Sequence, residues 1–292
     1  MNNTQIYGFT IDIFFPDGNP EGLRIVEKSN WTGSCVVCPR AKFIESKTRV
    51  EFSKTGVYML IGPPSDEEDL PTIYIGEGDP VRPRLEDHYA KKDFWTLLIS
   101  FSSKDQNLNK THVQYLESRL VTISKEAKRS VLDNINSPAL PSISERDTHS
   151  MERFLEEMLL IYPVLGVSVF EKPQAAPPSA QQLELNAKGI IAQGYESAQG
   201  FVVKKGSQAV LDRVVATSTH QFVKDMRQSL VKRGILIQAQ DALIFDQDYV
   251  FSSPSTAAGV LLGKSANGRI EWKDSQGRTL KEIQALAVAT AT

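Results

Sequence analysis

Five side chains with the chemistry needed to hydrolyse a phosphodiester bond occur in the first half of the chain: Tyr58, Tyr74, Arg84, His88 and Glu117. Such hydrolysis needs an oriented nucleophile, a cation for the developing negative charge and usually a divalent metal held by a carboxylate. A phenol can orient the nucleophile, arginine supplies a fixed cation, histidine donates or accepts a proton, and glutamate can hold a metal ion. These residue types therefore indicate a candidate site for phosphodiester chemistry.

Two strands are needed to position the tyrosines. The segments 55–62 and 72–76 are short and rich in strand-forming residues, and an acidic, proline-containing loop at 63–71 separates them. Side chains alternate between the two faces of a strand. We therefore expect Tyr58 and Tyr74 to lie side by side on one face of a sheet.

A short helix is predicted to follow Gly76, Gly78 and Pro80, which end the second strand. In the sequence VRPRLEDHY, Arg84 and His88 are four residues apart. A helix places residues at that spacing on one face. The guanidinium and the imidazole are therefore expected to point the same way.

The candidate carboxylate belongs to a longer helix. Apolar residues from Val113 to Leu120 alternate at spacings of three and four, which predicts an amphipathic helix over 111–129 with Thr111 as its N-cap. Glu117 lies on the apolar stripe of this helix. A carboxylate there needs a partner, and both an arginine at the edge of the core and a metal ion remain open.

The order of predicted elements indicates an α+β chain with separate parts. Residues 1–52 resemble a small β-rich unit, and residues 53–170 combine three strands with helices. The segment 171–182, EKPQAAPPSAQQ, has the composition of a linker. A separate C-terminal α+β domain is expected at 183–292.

Several further elements are predicted along the first half of the chain. The segment 33–45 favours a pair of strands, and 94–103 favours another strand. A helix is expected over 144–161 with Ser144 as its N-cap, followed by a strand at 166–170.

Composition excludes several classes of protein. The formal net charge is -2 and 41% of the residues are hydrophobic, so neither a global attraction for nucleic acid nor disorder is expected. The apolar runs are much shorter than the roughly 20 residues of a membrane span. The first residues lack the features of a secretory signal, which predicts a cytoplasmic protein.

Cys35 and Cys38 form a lone CxxC pair, which predicts two reduced thiols and no zinc site.

The ordered set of motifs resembles a GIY-YIG nuclease domain. GVY at 56–58 and YIG at 74–76 are followed by Arg84, His88 and Glu117 in the order that the family shows. The resemblance implies a three-stranded antiparallel sheet flanked by helices. It also implies hydrolysis of a phosphodiester bond with one divalent ion, Mg²⁺ or Mn²⁺.

The resemblance implies a role for each of the five side chains. The first-motif tyrosine, generally the base or its relay, matches Tyr58, and the second-motif tyrosine matches Tyr74. The charge-stabilising arginine matches Arg84, and His88 stands where members carry a residue near the attacking water. The metal-binding glutamate matches Glu117.

Residues beside the motifs define the expected substrate contacts and two departures from the family. Gly76 and Arg82 are expected to bind the substrate. Several members have lysine directly after YIG, where this chain has Glu77, which adds negative charge near a phosphate site. Glu77 is open to three interpretations: a surface residue, a second metal ligand or a sign of altered activity. The loop at 63–71 is also longer than is common.

A second resemblance covers the C-terminal part of the chain. KGSQA at 205–209 and the segment 253–280 resemble a domain of unknown function that bacterial proteins often join to GIY-YIG nucleases. Trp272 is expected in the core of this domain. Its scattered basic side chains fit either a phosphate-binding patch or ordinary solvated positions: Lys204, Lys205, Lys264, Arg269 and Lys273.

The sequence therefore predicts a metal-dependent endonuclease that acts on nucleic acid, with DNA favoured, and that does not associate with membranes. A first alternative is a nucleic-acid-binding or regulatory module that keeps the fold and does not cleave. A second is an interaction protein whose C-terminal domain binds a protein partner and carries the function. The sequence leaves the oligomeric state and the choice between DNA and RNA open.

Overall fold

The computed structural model describes residues 8–65, 68–171 and 180–290. The chain forms two compact units, Met1–Lys172 and Pro173–Thr292. Each unit combines strands and helices, so the predicted α+β class is confirmed. Within these described residues, no helix has both the length and the apolar character that a membrane crossing requires.

The first unit is built on a seven-stranded sheet with the spatial order β1-β2-β3-β6-β4-β5-β7. Neighbouring strands are antiparallel, except for the final pair of β5 and β7, which is parallel. The strands are β1 (Ile11–Phe14), β2 (Arg24–Lys28), β3 (Gly33–Pro39), β4 (Gly56–Ser65), β5 (Glu68–Gly78), β6 (Leu97–Ser103) and β7 (Val131–Leu132).

The N-terminal strands belong to the same sheet as the tyrosines. Strand β3 pairs with β6 along its whole length, from Gly33 opposite Ser103 to Pro39 opposite Leu97. It is buried at nearly every position, and buried backbone groups need hydrogen-bond partners, which the neighbouring strands provide. The sequence predicted a separate unit at 1–52, whereas these strands extend a sheet whose central strands β6, β4 and β5 are the three expected ones.

Helices cover both faces of this sheet. They are α1 (Arg40–Ser46), α2 (Arg82–Lys91), α3 (Lys110–Ala127) and α4 (Glu145–Val164). The alternation of β4 divides its side chains between two cores. Val57 and Met59 pack with α3 and α4, whereas Tyr58 and Leu60 pack with α1 and α2.

Side-chain caps fix the start of the two long helices. Ser144 accepts a hydrogen bond from the backbone N–H of Asp147, so the predicted cap of α4 is confirmed. At α3 the cap is Asn109, whose side-chain oxygen accepts from the backbone N–H of His112 at 3.0 Å. The predicted cap, Thr111, lies inside the first turn, so that prediction was wrong by two positions.

Three segments differ from their predicted conformation. Strands β4 and β5 continue into the predicted loop 63–71. Pro64 and Pro71 are paired there beside a register shift. Proline has no backbone N–H to donate, and such irregular positions of a sheet tolerate it. Helix α1 replaces the second of the two strands predicted in 33–45. The segment 166–170 forms no strand, and its apolar side chains are buried in the core instead.

The two cysteines lie on opposite faces of β3. Cys35 packs in the core under α3 and α4, and Cys38 packs in the core under α1 and α2. Both are free thiols, as predicted, and burial raises the pKa of each. Three residues of strand span about 10 Å, so the two sulfurs cannot share a metal ion or a disulfide.

The second unit contains two small antiparallel sheets with the orders β14-β10-β9-β8 and β11-β13-β12. The strands are β8 (Leu183–Ala187), β9 (Ile190–Ser197), β10 (Gly200–Val203), β11 (Gln208–Ala209), β12 (Leu236–Gln238), β13 (Leu243–Phe245) and β14 (Tyr249–Phe251). The helices are α5 (Gln221–Lys232), α6 (Pro254–Leu262), α7 (Gly268–Glu271) and α8 (Leu280–Thr290).

Trp272 lies at the centre of this unit, as predicted. It is fully buried, its ring centroid is 4.6 Å from that of Phe201, and its indole N–H donates to the carbonyl of Pro254. Two of the scattered lysines, Lys205 and Lys264, form ion pairs with acidic neighbours. Those pairs favour ordinary solvated positions over a phosphate-binding patch.

A buried arginine ties α5 to the rest of the second unit. The guanidinium of Arg227 is 2% exposed and donates to the backbone carbonyls of Val210 and Val260. It also donates to the carboxylate of Asp212 through two nitrogens, at 2.8 and 3.2 Å. A buried carbonyl that loses its hydrogen-bond donor destabilises the folded state by its full desolvation free energy.

We predict that Arg227→Met lowers the free energy of unfolding of the second unit by about 2 to 4 kcal/mol, because two buried carbonyls lose their donor. Urea denaturation of the full chain, followed by circular dichroism, measures this change. Arg213→Met removes an exposed arginine nearby and serves as the matched control. Equal midpoints for the two variants would contradict the prediction.

Candidate active site

Tyr58 of the candidate site lies in close contact with the backbone of β5. Tyr58 lies directly opposite Gly76 in the β4–β5 pair, and Tyr74 lies one pair further along, opposite Leu60. A Cβ atom on Gly76 would lie 2.6 Å from the Tyr58 hydroxyl oxygen and 2.9 Å from the Tyr74 ring. Glycine at this position therefore makes room for both phenols, whose ring centroids are 6.4 Å apart.

Helix α2 brings an imidazole onto the two phenols, as its spacing predicted. Nε2 of His88 and the hydroxyl of Tyr58 are 2.9 Å apart and form a hydrogen bond. The imidazole also packs on Tyr74, with 4.6 Å between ring centroids. His88 is buried, and Tyr58 is 1% exposed, so bulk solvent has little access to this hydrogen bond.

Burial sets the protonation of this hydrogen-bonded pair. It raises the pKa of Tyr58 far above its ordinary value, with a further increase from Tyr74 that Arg84 partly offsets. Burial, together with the charges of Lys92 and Arg84, lowers the pKa of His88 to about 4. At neutral pH the phenol therefore keeps its proton and the imidazole is uncharged.

Arg84 supplies the positive charge of the site. Partial burial lowers its pKa and the neighbouring Tyr58 and Tyr74 raise it, with a net increase, so the guanidinium remains charged. Its charge lowers the pKa of both phenols and of Glu117. Arg84 is exposed and therefore accessible to a ligand.

Glu117 is a half-buried carboxylate without a bonded partner. Within the described residues, no hydrogen bond and no ion pair shorter than 4 Å involves it, so the arginine partner considered from the sequence is not present. Burial and the nearby Glu77 raise its pKa to about 7, although Arg84 and Lys110 lower it. A desolvated carboxylate that lacks a partner fits a metal ligand.

A metal ion at this site would be held by Glu117, because the nearby Asp87 and Asp133 are paired with lysines. Within 8–65, 68–171 and 180–290, no group of three His, Cys, Asp or Glu side chains could enclose a metal ion. A site of that type suits Mg²⁺ or Mn²⁺, because such ions keep several waters and often use one or two carboxylates with substrate phosphates.

Glu117 opens into a cleft of about 500 Å³ together with His88 and Tyr74. Lys92 lines the same cleft, and its Nζ lies 4.6 Å from the centroid of the Tyr74 ring. The ammonium of Lys92 also forms an ion pair with Asp133, which follows β7. The cleft therefore combines three carboxylates, an imidazole, a phenol and two lysine ammonium groups.

Asn134 completes the edge of the sheet beside the cleft. Its side-chain oxygen accepts from the N–H of Ile75 at 3.0 Å, and its amide donates to the carbonyl of Ile75 at 2.7 Å. The side chain thus occupies the place of a further paired residue after β7, which pairs only with Thr72 and Ile73. No local sequence pattern indicated Lys92, Asp133 or Asn134, because their contacts join distant segments.

The structure does not bring Arg82 to the cleft. Its guanidinium donates to the carbonyl of Arg49 and to the hydroxyl of Ser53, on the other side of α2. Two residues of helix correspond to a rotation of about 200°, so Arg82 and Arg84 point in nearly opposite directions. The substrate contact of Arg82 therefore stays a prediction, and Gly76 gives space to the phenols.

Glu77 is held by a lysine of the helix that carries Glu117. Nζ of Lys110, the first residue of α3, lies 2.7 Å from both carboxylate oxygens of Glu77. The Glu77 side chain is only 13% exposed. The extra negative charge that the sequence places beside the site is thus balanced by a direct ion pair.

Comparison with known proteins assigns a family to part of the second unit. Residues 183–284 match a family described as a domain of unknown function, DUF4357, as the resemblance predicted. No curated protein and no solved structure matches the chain.

We predict that His88 makes the folded state less stable in acid. Its folded pKa of about 4 lies below the ordinary 6.5, so the unfolded chain binds more protons between these values. The free energy of unfolding should therefore decrease as the pH falls from 6.5 to 4, by an amount on the order of 2 kcal/mol from this group.

Urea denaturation of the wild type and of His88→Gln at pH 7 and pH 4.5 measures this contribution. The glutamine keeps a polar group beside Tyr58 and does not titrate. The wild type should lose more stability than the variant over this interval. Equal losses in the two proteins would contradict the assignment.

Proposed function

We propose that this chain is a metal-dependent endonuclease of the GIY-YIG type, which hydrolyses phosphodiester bonds in nucleic acid, with DNA as the expected substrate. The supporting observation is the unpartnered Glu117 carboxylate, which shares a cleft with the imidazole bonded to Tyr58. The charge of Arg84 acts on the same carboxylate and on both phenols. An acceptor for a proton, a cation and a metal ligand are thus present in one place.

Tyr58 and His88 are suited to relay a proton. Water attacks the phosphorus atom, a new P–O bond forms, and the water gives up a proton. The phenol oxygen of Tyr58 accepts that proton while its own proton passes to Nε2 of His88, along the hydrogen bond of 2.9 Å. The bond from phosphorus to the leaving oxygen breaks, and that oxygen keeps the electron pair. Both groups are neutral at pH 7, as the start of the relay requires, and the low pKa of His88 makes its imidazole a weak acceptor that holds the proton only briefly.

Arg84 is placed to stabilise the negative charge that develops on the phosphate. It is exposed, and the two phenols beside it keep its pKa high. Lys92 adds a second positive charge in the cleft, and Asp133 holds it in position. Fixed cations aimed at developing charge lower the barrier without reorganisation during the reaction.

Glu117 is the residue that would hold Mg²⁺ or Mn²⁺. Its carboxylate must lose its proton to bind the ion, and the nearby positive charges of Arg84 and Lys110 favour that form. When bound, the ion would neutralise negative charge on the phosphate oxygens. The second unit contributes none of these side chains, and we propose that it recognises the substrate or a protein partner.

The first test is cleavage of a panel of labelled plasmid, linear, branched and single-stranded DNA and of RNA, with Mg²⁺ or with EDTA. We predict metal-dependent products with the wild type and their loss with Glu117→Gln, because the amide cannot replace the charge of the carboxylate. Glu86→Gln, at a partly exposed site of α2 paired with Lys47, is the matched control and should retain activity. Binding without cleavage across the whole panel would contradict the nuclease and favour the non-catalytic module.

A second prediction concerns the proton relay. Tyr58→Phe removes one hydroxyl and leaves the buried ring in place, so turnover should fall by about a hundredfold or more while substrate affinity is retained. Single-turnover cleavage and a filter-binding titration separate the two quantities. Tyr89→Phe, on α2 and outside the cleft, controls for the loss of a phenol. Wild-type turnover by Tyr58→Phe would remove this residue from the mechanism.

A further inference from the structure

We propose that the Glu77–Lys110 ion pair positions the metal-binding carboxylate of Glu117 and cancels the charge of Glu77, so that the metal meets one net negative charge. This inference rests on the proposed function, because it concerns the same metal ligand. The role proposed here for Glu77 differs from the three that the sequence left open. The pair instead acts as one neutral positioning element.

The pair connects the two elements that carry the site. Glu77 directly follows Gly76, the residue that accommodates the ring of Tyr58, at the end of β5. Lys110 begins α3, and its Nζ contacts both oxygens of Glu77 at 2.7 Å. Seven residues make nearly two turns of helix, so Lys110 and Glu117 lie on the same side of α3. The ion pair therefore fixes the position of that side of the helix against the strand of the tyrosines.

Both charges of the pair act on the site. Glu77 raises the pKa of Glu117 and Lys110 lowers it, and Glu77 also raises the pKa of Arg84. The Glu77 carboxylate is 13% exposed and its field is weakly screened, whereas the Lys110 side chain is 51% exposed and its field is screened more strongly. Removing one partner alone would leave an uncompensated charge beside the metal ligand.

An exposed ion pair in the same unit provides a matched control. Lys104 contacts Glu27 at 3.1 Å, and the two side chains are 42% and 40% exposed. Unlike Glu77 and Lys110, neither residue is among the charges that shift the pKa of Glu117. This pair joins separate elements through the same two residue types, so it reports on the loss of a lysine–glutamate contact away from the site.

The experiment measures Mn²⁺ binding to the full chain without substrate, by electron paramagnetic resonance of the free ion. Glu77→Gln leaves the Lys110 cation near the metal and should weaken binding by about three- to tenfold, whereas Lys110→Met leaves the Glu77 anion and should tighten it by a similar factor. The exchange of both residues, E77K with K110E, restores the net charge and the contact, so binding should return to the wild-type value. The control variants Glu27→Gln and Lys104→Met should bind as the wild type does.

Two results would overturn the inference: unchanged affinity in both single variants, or changes in the same direction. The inference and the proposed function also fail in distinguishable ways. Absence of Mn²⁺ binding by the wild type contradicts the metal role of Glu117 and therefore both proposals. Binding that Glu117→Gln abolishes and that the variants of the pair leave unchanged contradicts the inference alone.

Discussion

The close contact between the Tyr58 ring and the backbone of Gly76 is the constraint on which the candidate site depends. A side chain at position 76 would collide with the hydroxyl that bonds to His88. The hydrogen bond to His88 in turn fixes the orientation of α2, and hence the direction in which Arg84 points. One missing Cβ atom therefore permits the contact between a phenol and an imidazole on the helix that also carries Arg84.

The edge of the sheet explains how side chains from opposite faces come together. The phenols and α2 lie on one face, and α3 packs on the other. β7 pairs with only two residues of β5, Thr72 and Ile73. Beyond them, at Tyr74 and Glu77, β7 no longer pairs with this edge of β5. Asn134 satisfies the backbone of Ile75 at that point and occupies less space than a strand would. Residues from both layers can therefore reach one cleft.

Local periodicity predicted much of the site, and long-range pairing explains what it missed. The alternation of strands placed Tyr58 and Tyr74 together, and helical spacing placed Arg84 with His88. Helical phase separates the two nearby arginines of α2, and Arg82 donates to Arg49 and Ser53. The joining of β3 to β6 and the approach of Lys110 to Glu77 connect segments far apart in sequence, which no local pattern encodes. The segment 166–170 shows that an apolar run can enter a core without forming a strand.

The opposite orientation of the cysteines gives the first unit a native pair of chemical reporters. Cys35 and Cys38 belong to the same strand, but each is enclosed by a different hydrophobic layer. An alkylating reagent can modify either thiol only when its own layer opens, since both are buried in the folded protein. The relative rates of labelling at the two positions would therefore compare the local opening of the layer under α3 and α4 with that of the layer under α1 and α2.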